Sequence, residues 1–307
     1  MSILPPKLPD GGTIGIVSPA SPMLPDRLAN GEKYLRSKGY NVKLGAAAKL
    51  LRGYLAGSDQ QRADDINRMF SDPDIDAIFC SRGGYGSPRI LNLIDYKNIF
   101  QNPKPFVGYS DITALQWAIF AKTGLITFSG PMVAVEMAKK IPKLTEEMFW
   151  PLLKTQTKLL ISHKKLEVLA SFQEGAEGRL IAGNLSLITS LLGTPFFPNI
   201  EGCVLAIEDI GEELYQVDRE LTQLKNAGIF SKLRGLIIAD FGEVTDDAAT
   251  ADDFKRTLRE IASEFNLGIM FGLPYGHIDE KFTLPIGFQC KLDFVGSTLE
   301  VFPDPLS

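Results

Sequence analysis

The chain has 307 residues, 45% of them apolar and 22% charged, with a formal net charge of −5. That length supports about two domains with sizeable cores, and the intermixed charges leave no basic face for nucleic acid or an anionic membrane. The first residues lack an apolar core of signal-peptide length and no apolar span reaches ~18 residues, while Cys80, Cys203 and Cys290 are widely spaced in apolar runs; the expectation is a cytoplasmic protein with buried, reduced thiols, no disulfides and no membrane segment.

From the N-terminus, 13–18 is a buried-strand run, 25–38 a helix and 41–44 a short strand. A second helix is expected over 59–70, capped by Ser58 or Asp59, with Ile66, Met69 and Phe70 on one face. The strand 77–80 runs into Ser81-Arg82-Gly83-Gly84-Tyr85-Gly86, and a helix starts at Pro88. The strand 106–108 ends in the Ser110 turn and another helix, and 125–128 is the next strand. Apolar strands alternating with amphipathic helices predict a parallel sheet covered on both faces. In such sheets sites form at the carboxyl ends of strands, where Gly83-Gly84 and Ser110 fall.

The stretch 136–173 loses this regularity and is expected to be an interdomain crossing. A second α/β unit follows over 174–307, with helices over 185–192, 217–227 and 254–265 and strands over 204–207, 235–240 and 269–272. Its last part, 283–302, alternates like an antiparallel meander. The first unit is then 1–135.

Ser110 sits in Gly108-Tyr109-Ser110-Asp111 at a strand-to-helix turn. Such a turn lifts a serine hydroxyl clear of the sheet, with helix-start N–H groups beside it, as an acyl-transfer nucleophile requires. The bland alternative is a Ser-Asp helix N-cap, and Ile112 replaces the second glycine of a full G-x-S-x-G. Gly83-Gly84 lacks the context of a phosphate loop, so no nucleotide cofactor is expected. Its glycines instead permit a backbone oxyanion donor opposite Ser110. The chain has two histidines, His163 and His277. His277 follows Gly276 on a strand-end loop and suits a cleft, whereas His163 lies in the polar run Ser-His-Lys-Lys. Glu208, where the strand 204–207 gives way to Glu208-Asp209, is a candidate to fix the histidine tautomer. Asp209 is expected to serve as a cap or salt bridge. No metal-ligand spacing occurs.

These residues, with Leu55-Ala56-Gly57-Ser58-Asp59-Gln60-Gln61-Arg62-Ala63-Asp64-Asp65, Gly183-Asn184-Leu185, Gly193-Thr194-Pro195, Asp218-Arg219 and Leu284-Pro285-Ile286-Gly287, span nearly the whole chain. The series resembles the serine peptidases of the LD-carboxypeptidase family (muramoyltetrapeptide carboxypeptidases) and their relatives, the microcin C immunity peptidases. The resemblance implies Ser110 as nucleophile, Glu208 and His277 as its partners, and the N–H groups of Gly84 and Asp111 as oxyanion hole. It also implies a flavodoxin- or glutamine-amidotransferase-like N-terminal α/β domain, a C-terminal swivelling β/β/α-type domain, and a homodimer. The reaction it implies is removal of terminal D-alanine from murein tetrapeptides in cell-wall recycling, with no cofactor and no metal. The immunity peptidases instead cut aminoacyl- or peptidyl-nucleotide amides, with an aromatic residue stacked on the base. Phe149 and Trp150 lie near the region of such a loop, although packing is the expected role of Trp150. Arg82 and Arg179 are candidates for holding a substrate carboxylate. Two α/β units around a cleft also fit a ligand-binding module without chemistry. Convergence of Ser110, His277 and Glu208 separates the two classes.

Overall fold

The computed structural model describes residues 2–242 and 251–304. Its first half contains β1 (Thr13–Val17), α1 (Pro25–Ser37), β2 (Asn41–Leu44), α2 (Asp59–Ser71), β3 (Ala77–Cys80), α3 (Tyr96–Gln101), β4 (Phe106–Gly108), α4 (Thr113–Thr123) and β5 (Thr127–Ser129). Then come α5 (Lys143–Lys154), β6 (Leu159–Ile161), β7 (Glu167–Ala170), β8 (Gly175–Asn184), α6 (Leu185–Ser190), β9 (Cys203–Glu208), α7 (Leu214–Asn226) and β10 (Gly235–Ile238). The chain closes with α8 (Ala251–Phe265), β11 (Ile269–Phe271), β12 (Leu284–Ile286), β13 (Gln289–Asp293) and β14 (Thr298–Phe302).

The strands form two mixed sheets, ordered β12-β5-β4-β3-β1-β2 and β6-β14-β13-β8-β9-β10-β11-β7. In the first, β1 to β5 run parallel, and their apolar runs, such as AIFC in β3, are buried on both faces. β12 joins that sheet antiparallel to β5. The expected meander over 283–302 is therefore divided: β12 completes the first sheet, while β13 and β14 pair in the second. Likewise, the expected irregular crossing contains α5 and two strands at opposite edges of the second sheet. These strands escaped the pattern because they are short and only partly buried.

Helix α4 joins the sheets energetically. Every residue in it except Ala121 and Lys122 is buried, the mark of a helix covered all round. Trp117 is fully buried, and its indole N–H donates to the Ala182 carbonyl of β8 at 2.9 Å. A Cβ on Gly183 would collide with Thr113 and lie 3.2 Å from Trp117 Nε1, so glycine permits this close approach. Because α4 follows Ser110 immediately, the packing that docks the second sheet also fixes the Ser110 turn.

Helix α2 supports the other wall. Ser58 and Gln61 form a reciprocal capping box. Arg62, fully buried, donates to the carbonyls of Pro19 and Gly86 and pairs with Asp59. Buried Asp65 accepts from the N–H groups of Ala46 and Ala47. The polar residues of the 55–65 motif thus hold the loops at the carboxyl ends of β1, β2 and β3. A buried polar group needs such partners to offset its lost hydration.

Candidate active site

Four strand ends build the site. β4 leads to Ser110, β3 to the glycine loop, β9 ends at Glu208, and the loop after β11 carries His277. Ser110 has φ +67, a left-handed conformation uncommon for a residue with a side chain. A short 3-10 turn, Ser110–Ile112, then leads into α4. Ile112 folds back over Gly108, where a Cβ would lie 2.9 Å from Ile112 Cγ2 and 3.1 Å from Cys80 Cβ. The sharp turn therefore forms with isoleucine at the position where the G-x-S-x-G pattern has its second glycine.

The glycine loop lies directly over the hydroxyl. A Cβ on Gly83 would come within 2.9 Å of Ser110 Cβ, 3.0 Å of its Oγ and 3.2 Å of the Asp111 nitrogen. Gly84 takes φ +111, Tyr85 N–H donates to Ser21 Oγ at 3.1 Å, and Gly86 O accepts from Arg62 at 2.9 Å. The loop is braced at both ends, with Gly83 packed against Ser110 and the Asp111 nitrogen. The Asp111 side chain is occupied elsewhere: its Oδ2 accepts from Ser87 N–H at 2.8 Å. Burial raises the Asp111 pKa, opposed by the Ser87 hydrogen bonds.

The structure brings His277 to Ser110 with Nε2 and Oγ 2.9 Å apart, and to Glu208 with Nδ1 and Oε2 2.7 Å apart. An ionised carboxylate can only accept, so Nδ1–H donates to Glu208 and Nε2 is free to accept the Ser110 hydroxyl proton. Glu208 is 1% exposed and its Oε1 has no partner among the described residues. Gly276, at φ +108, lets the chain pass the carboxylate: a Cβ there would lie 2.5 Å from Glu208 Oε2. The arrangement can pass a proton from serine to imidazole while the carboxylate holds the ring.

The other candidates are engaged elsewhere. His163 Nδ1 accepts from Lys165 N–H, and its ring meets Phe282 edge-on. Asp209 accepts from Asn184 Nδ2 and from the N–H groups of Ser186 and Ile210, the structural role expected of it. Arg179 on β8 pairs with Cys203 of β9, five residues before Asn184, which pairs with Glu208; that spacing is about 16 Å along a strand. It packs over Phe120 instead. Arg82 stays near the glycine loop and donates to Pro22 O at 3.3 Å. Phe149 is buried, and Trp150 stacks on Tyr40 and donates to Tyr34 Oη, so both aromatics are committed to packing.

Three neighbours of the site escaped the sequence reading. The Tyr109 ring meets the His277 ring edge-on at 5.1 Å, and its hydroxyl donates to Glu136 at 2.8 Å. Lys281 lies over the same ring at 4.0 Å and pairs with Glu136 at 2.7 Å. Burial, reinforced by Glu136, pushes the Tyr109 hydroxyl pKa far up, so it remains a donor. A charged residue in an otherwise irregular stretch was the only signal for Glu136. Among the described residues no group of three or more His, Cys, Asp or Glu side chains could hold a metal, and no helix is long and apolar enough to cross a membrane.

Residues 14–130 match the family model described as the LD-carboxypeptidase N-terminal domain, and 177–292 match its C-terminal domain. The chain is 38% identical over 297 residues to the "Probable murein peptide carboxypeptidase" of Bacillus subtilis (strain 168), covering 96% of this chain and 92% of that protein. A solved muramoyltetrapeptide carboxypeptidase from Oxalobacter formigenes superposes with a TM-score of 0.84 at 29% identity, covering 95% of this chain and 99% of that one. The MccF structure in complex with glutamyl sulfamoyl guanosine gives 0.91 at 28% identity, covering 99% of each chain; the curated microcin C7 self-immunity protein MccF is from Escherichia coli. With an α/β fold in two mixed sheets and both family models matched in order, the chain belongs to the LD-carboxypeptidase family.

Proposed function

We propose that the protein is a serine carboxypeptidase that hydrolyses the amide between an L-centre and the terminal D-alanine of murein tetrapeptides. The observation that carries this reading is the continuous relay from Ser110 through His277 to Glu208, at 2.9 and 2.7 Å. In it, His277 Nε2 takes the Ser110 proton as Oγ attacks the amide carbon. The oxyanion is held by the N–H groups of Gly84 and Asp111, donors fixed before the charge develops. His277 then returns the proton to the departing amine, releasing D-alanine and leaving the peptide esterified to Ser110. Water, deprotonated by the same imidazole, frees the serine. Glu208 accepts the Nδ1–H throughout and stabilises the imidazolium.

In this reading residues 1–135 supply the nucleophile and oxyanion donors, and 174–307 supply Glu208 and His277, joined through 136–173. A cytoplasmic homodimer acting in cell-wall recycling belongs to the same proposal. Its support is the family resemblance, together with the exposed apolar side chains Leu24, Leu51, Tyr54 and Tyr85. Light scattering of the purified protein tests the dimer.

Likeness to MccF favours a second reading, cleavage of an aminoacyl-nucleotide amide. Against it stands Trp150, which is already stacked on Tyr40. Incubation with murein tetrapeptide and, separately, with an aminoacyl-sulfamoyl adenylate, followed by mass spectrometry, discriminates them. Release of D-alanine is expected; cleavage of the nucleotide conjugate alone would replace the first reading with the second, and cleavage of neither would return the chain to the class of ligand-binding modules.

A further inference from the structure

A cavity of about 380 Å³ opens beside the relay, with Tyr109 and His277 on its wall and Lys139 and Lys140 on its rim. We infer that this cavity receives the residue released by the reaction, and that Lys139 and Lys140 hold its terminal carboxylate. The inference rests on the carboxypeptidase reading above and adds the residues that make the enzyme act on chain ends.

Proton transfer fixes the side on which the leaving residue lies. His277 Nε2 must come within about 2.6–3.2 Å of the departing nitrogen. In an α-amino acid the carboxylate carbon is only about 2.5 Å from that nitrogen, given the N–Cα and Cα–C bond lengths. A terminal carboxylate therefore enters the space bordering His277. Arg82, by contrast, borders a neighbouring cavity of about 330 Å³ with Arg27, Met23 and Leu24, and Val135 lines both cavities. That position suits the acyl portion of a substrate.

Charge points the same way. The cavity lining carries Lys139, Lys140 and Lys281 against Glu136 and Asp279, one positive charge in excess. Buried Lys281 is already paired with Glu136 at 2.7 Å. Lys139 and Lys140 are exposed and have no carboxylate partner among the described residues. The segment bearing them is not loose. Glu136 Oε2 accepts from Met132 N–H at 2.9 Å, its Oε1 accepts from Tyr109 and Lys281, and Lys139 N–H donates to the Glu136 carbonyl at 3.0 Å. Glu136 thus ties the two lysines both to the strand end bearing Ser110 and to the loop bearing His277.

The test compares two substrates on one protein: murein tetrapeptide with a free terminal carboxylate, and the same peptide ending in a carboxamide. Wild-type enzyme is expected to favour the free acid by roughly ten- to a hundredfold in kcat/KM, the range for hydrogen bonds to a charged group. The K139A/K140A double variant should bring the ratio to within a few-fold of one, and Lys-to-Arg exchanges at both positions should restore it. The ratio is independent of how much protein is active, and circular dichroism checks the fold. A double variant that keeps the wild-type preference, or an Arg82→Ala variant that alone abolishes it, would overturn the lysine assignment while leaving the carboxypeptidase reading intact. Failure of the wild type to cleave either peptide would overturn the reading beneath it.

Discussion

Gly276→Ala is a sharp probe of the relay because the added methyl group is aimed at Glu208, the carboxylate that holds the His277 ring. The new Cβ would lie 2.5 Å from Glu208 Oε2, 2.8 Å from its Cγ and 2.9 Å from its Cβ, whereas ordinary contact begins at 3.4 Å. Glu208 is buried at the end of β9 and its whole side chain faces the intruding atom, so no single torsion relieves the clash. Either the carboxylate or the His277 loop must retreat by about 0.9 Å, and a misplacement of ~1 Å at a reacting centre lowers rate roughly a hundredfold. The substitution also places alanine at φ +108, a backbone strain of order 1–3 kcal/mol. Gly39→Ala separates the two effects: Gly39 has φ +91, and a methyl group added there would meet nothing within 4 Å, so this variant should lose stability without losing rate. Tetrapeptide hydrolysis followed by D-alanine release, with thermal unfolding of both variants alongside, makes the comparison. A Gly276→Ala enzyme within twofold of wild-type kcat/KM would refute the claim that Glu208 must sit where it does.

Gly83→Ala should reduce turnover by at least about tenfold and lower the melting temperature, because its methyl would lie 2.9 Å from Ser110 Cβ and fill the space over the hydroxyl where the substrate carbonyl must enter; unchanged kinetics would place the oxyanion elsewhere. Burial, with Asp209 and Glu212 nearby, pushes Glu220 from its ordinary 4.5 up to about 7. A raised carboxyl pKa penalises the folded state once the group ionises, so its penalty is absent below pH ~4.5, grows as pH rises to ~7 and is complete above that. Glu220→Gln should therefore melt higher than wild type at pH 8 and the same at pH 4, and a gain confined to acid would reverse the sign of this argument. Exhaustive chelation should leave hydrolysis unchanged, since no metal-holding cluster occurs among the described residues; loss of activity restored by added zinc would show that a metal takes part.

What was legible in the sequence was local. Ser110, Glu208 and His277 each end or follow an apolar strand run and stand beside glycine or acidic residues, a pattern visible without knowing the fold. The polar faces of the 55–65 motif were legible as a helix start, but not as the brace of the glycine loop, because Arg62 acts through carbonyls 43 and 24 positions away. Glu136 and Lys281 lie 145 positions apart and form a buried pair only once the chain is closed. β12 has three residues, one of them proline, and its place at the edge of the first sheet is set by β5, not by its own pattern. Helix α4 was expected as an ordinary covering helix; its burial between the sheets follows from β8, which carries Gly183 where Thr113 and Trp117 must pass.

The central claim, that Ser110 is the nucleophile of an acyl-transfer hydrolase, is tested most directly by Ser110→Ala. Alanine carries the same Cβ through the turn, so the variant should fold and melt close to wild type. With murein tetrapeptide as substrate, quantified D-alanine release should fall by roughly four orders of magnitude or more, as for removal of a member of a serine–histidine relay. A correctly folded Ser110→Ala protein that releases D-alanine at near wild-type rate would contradict the account.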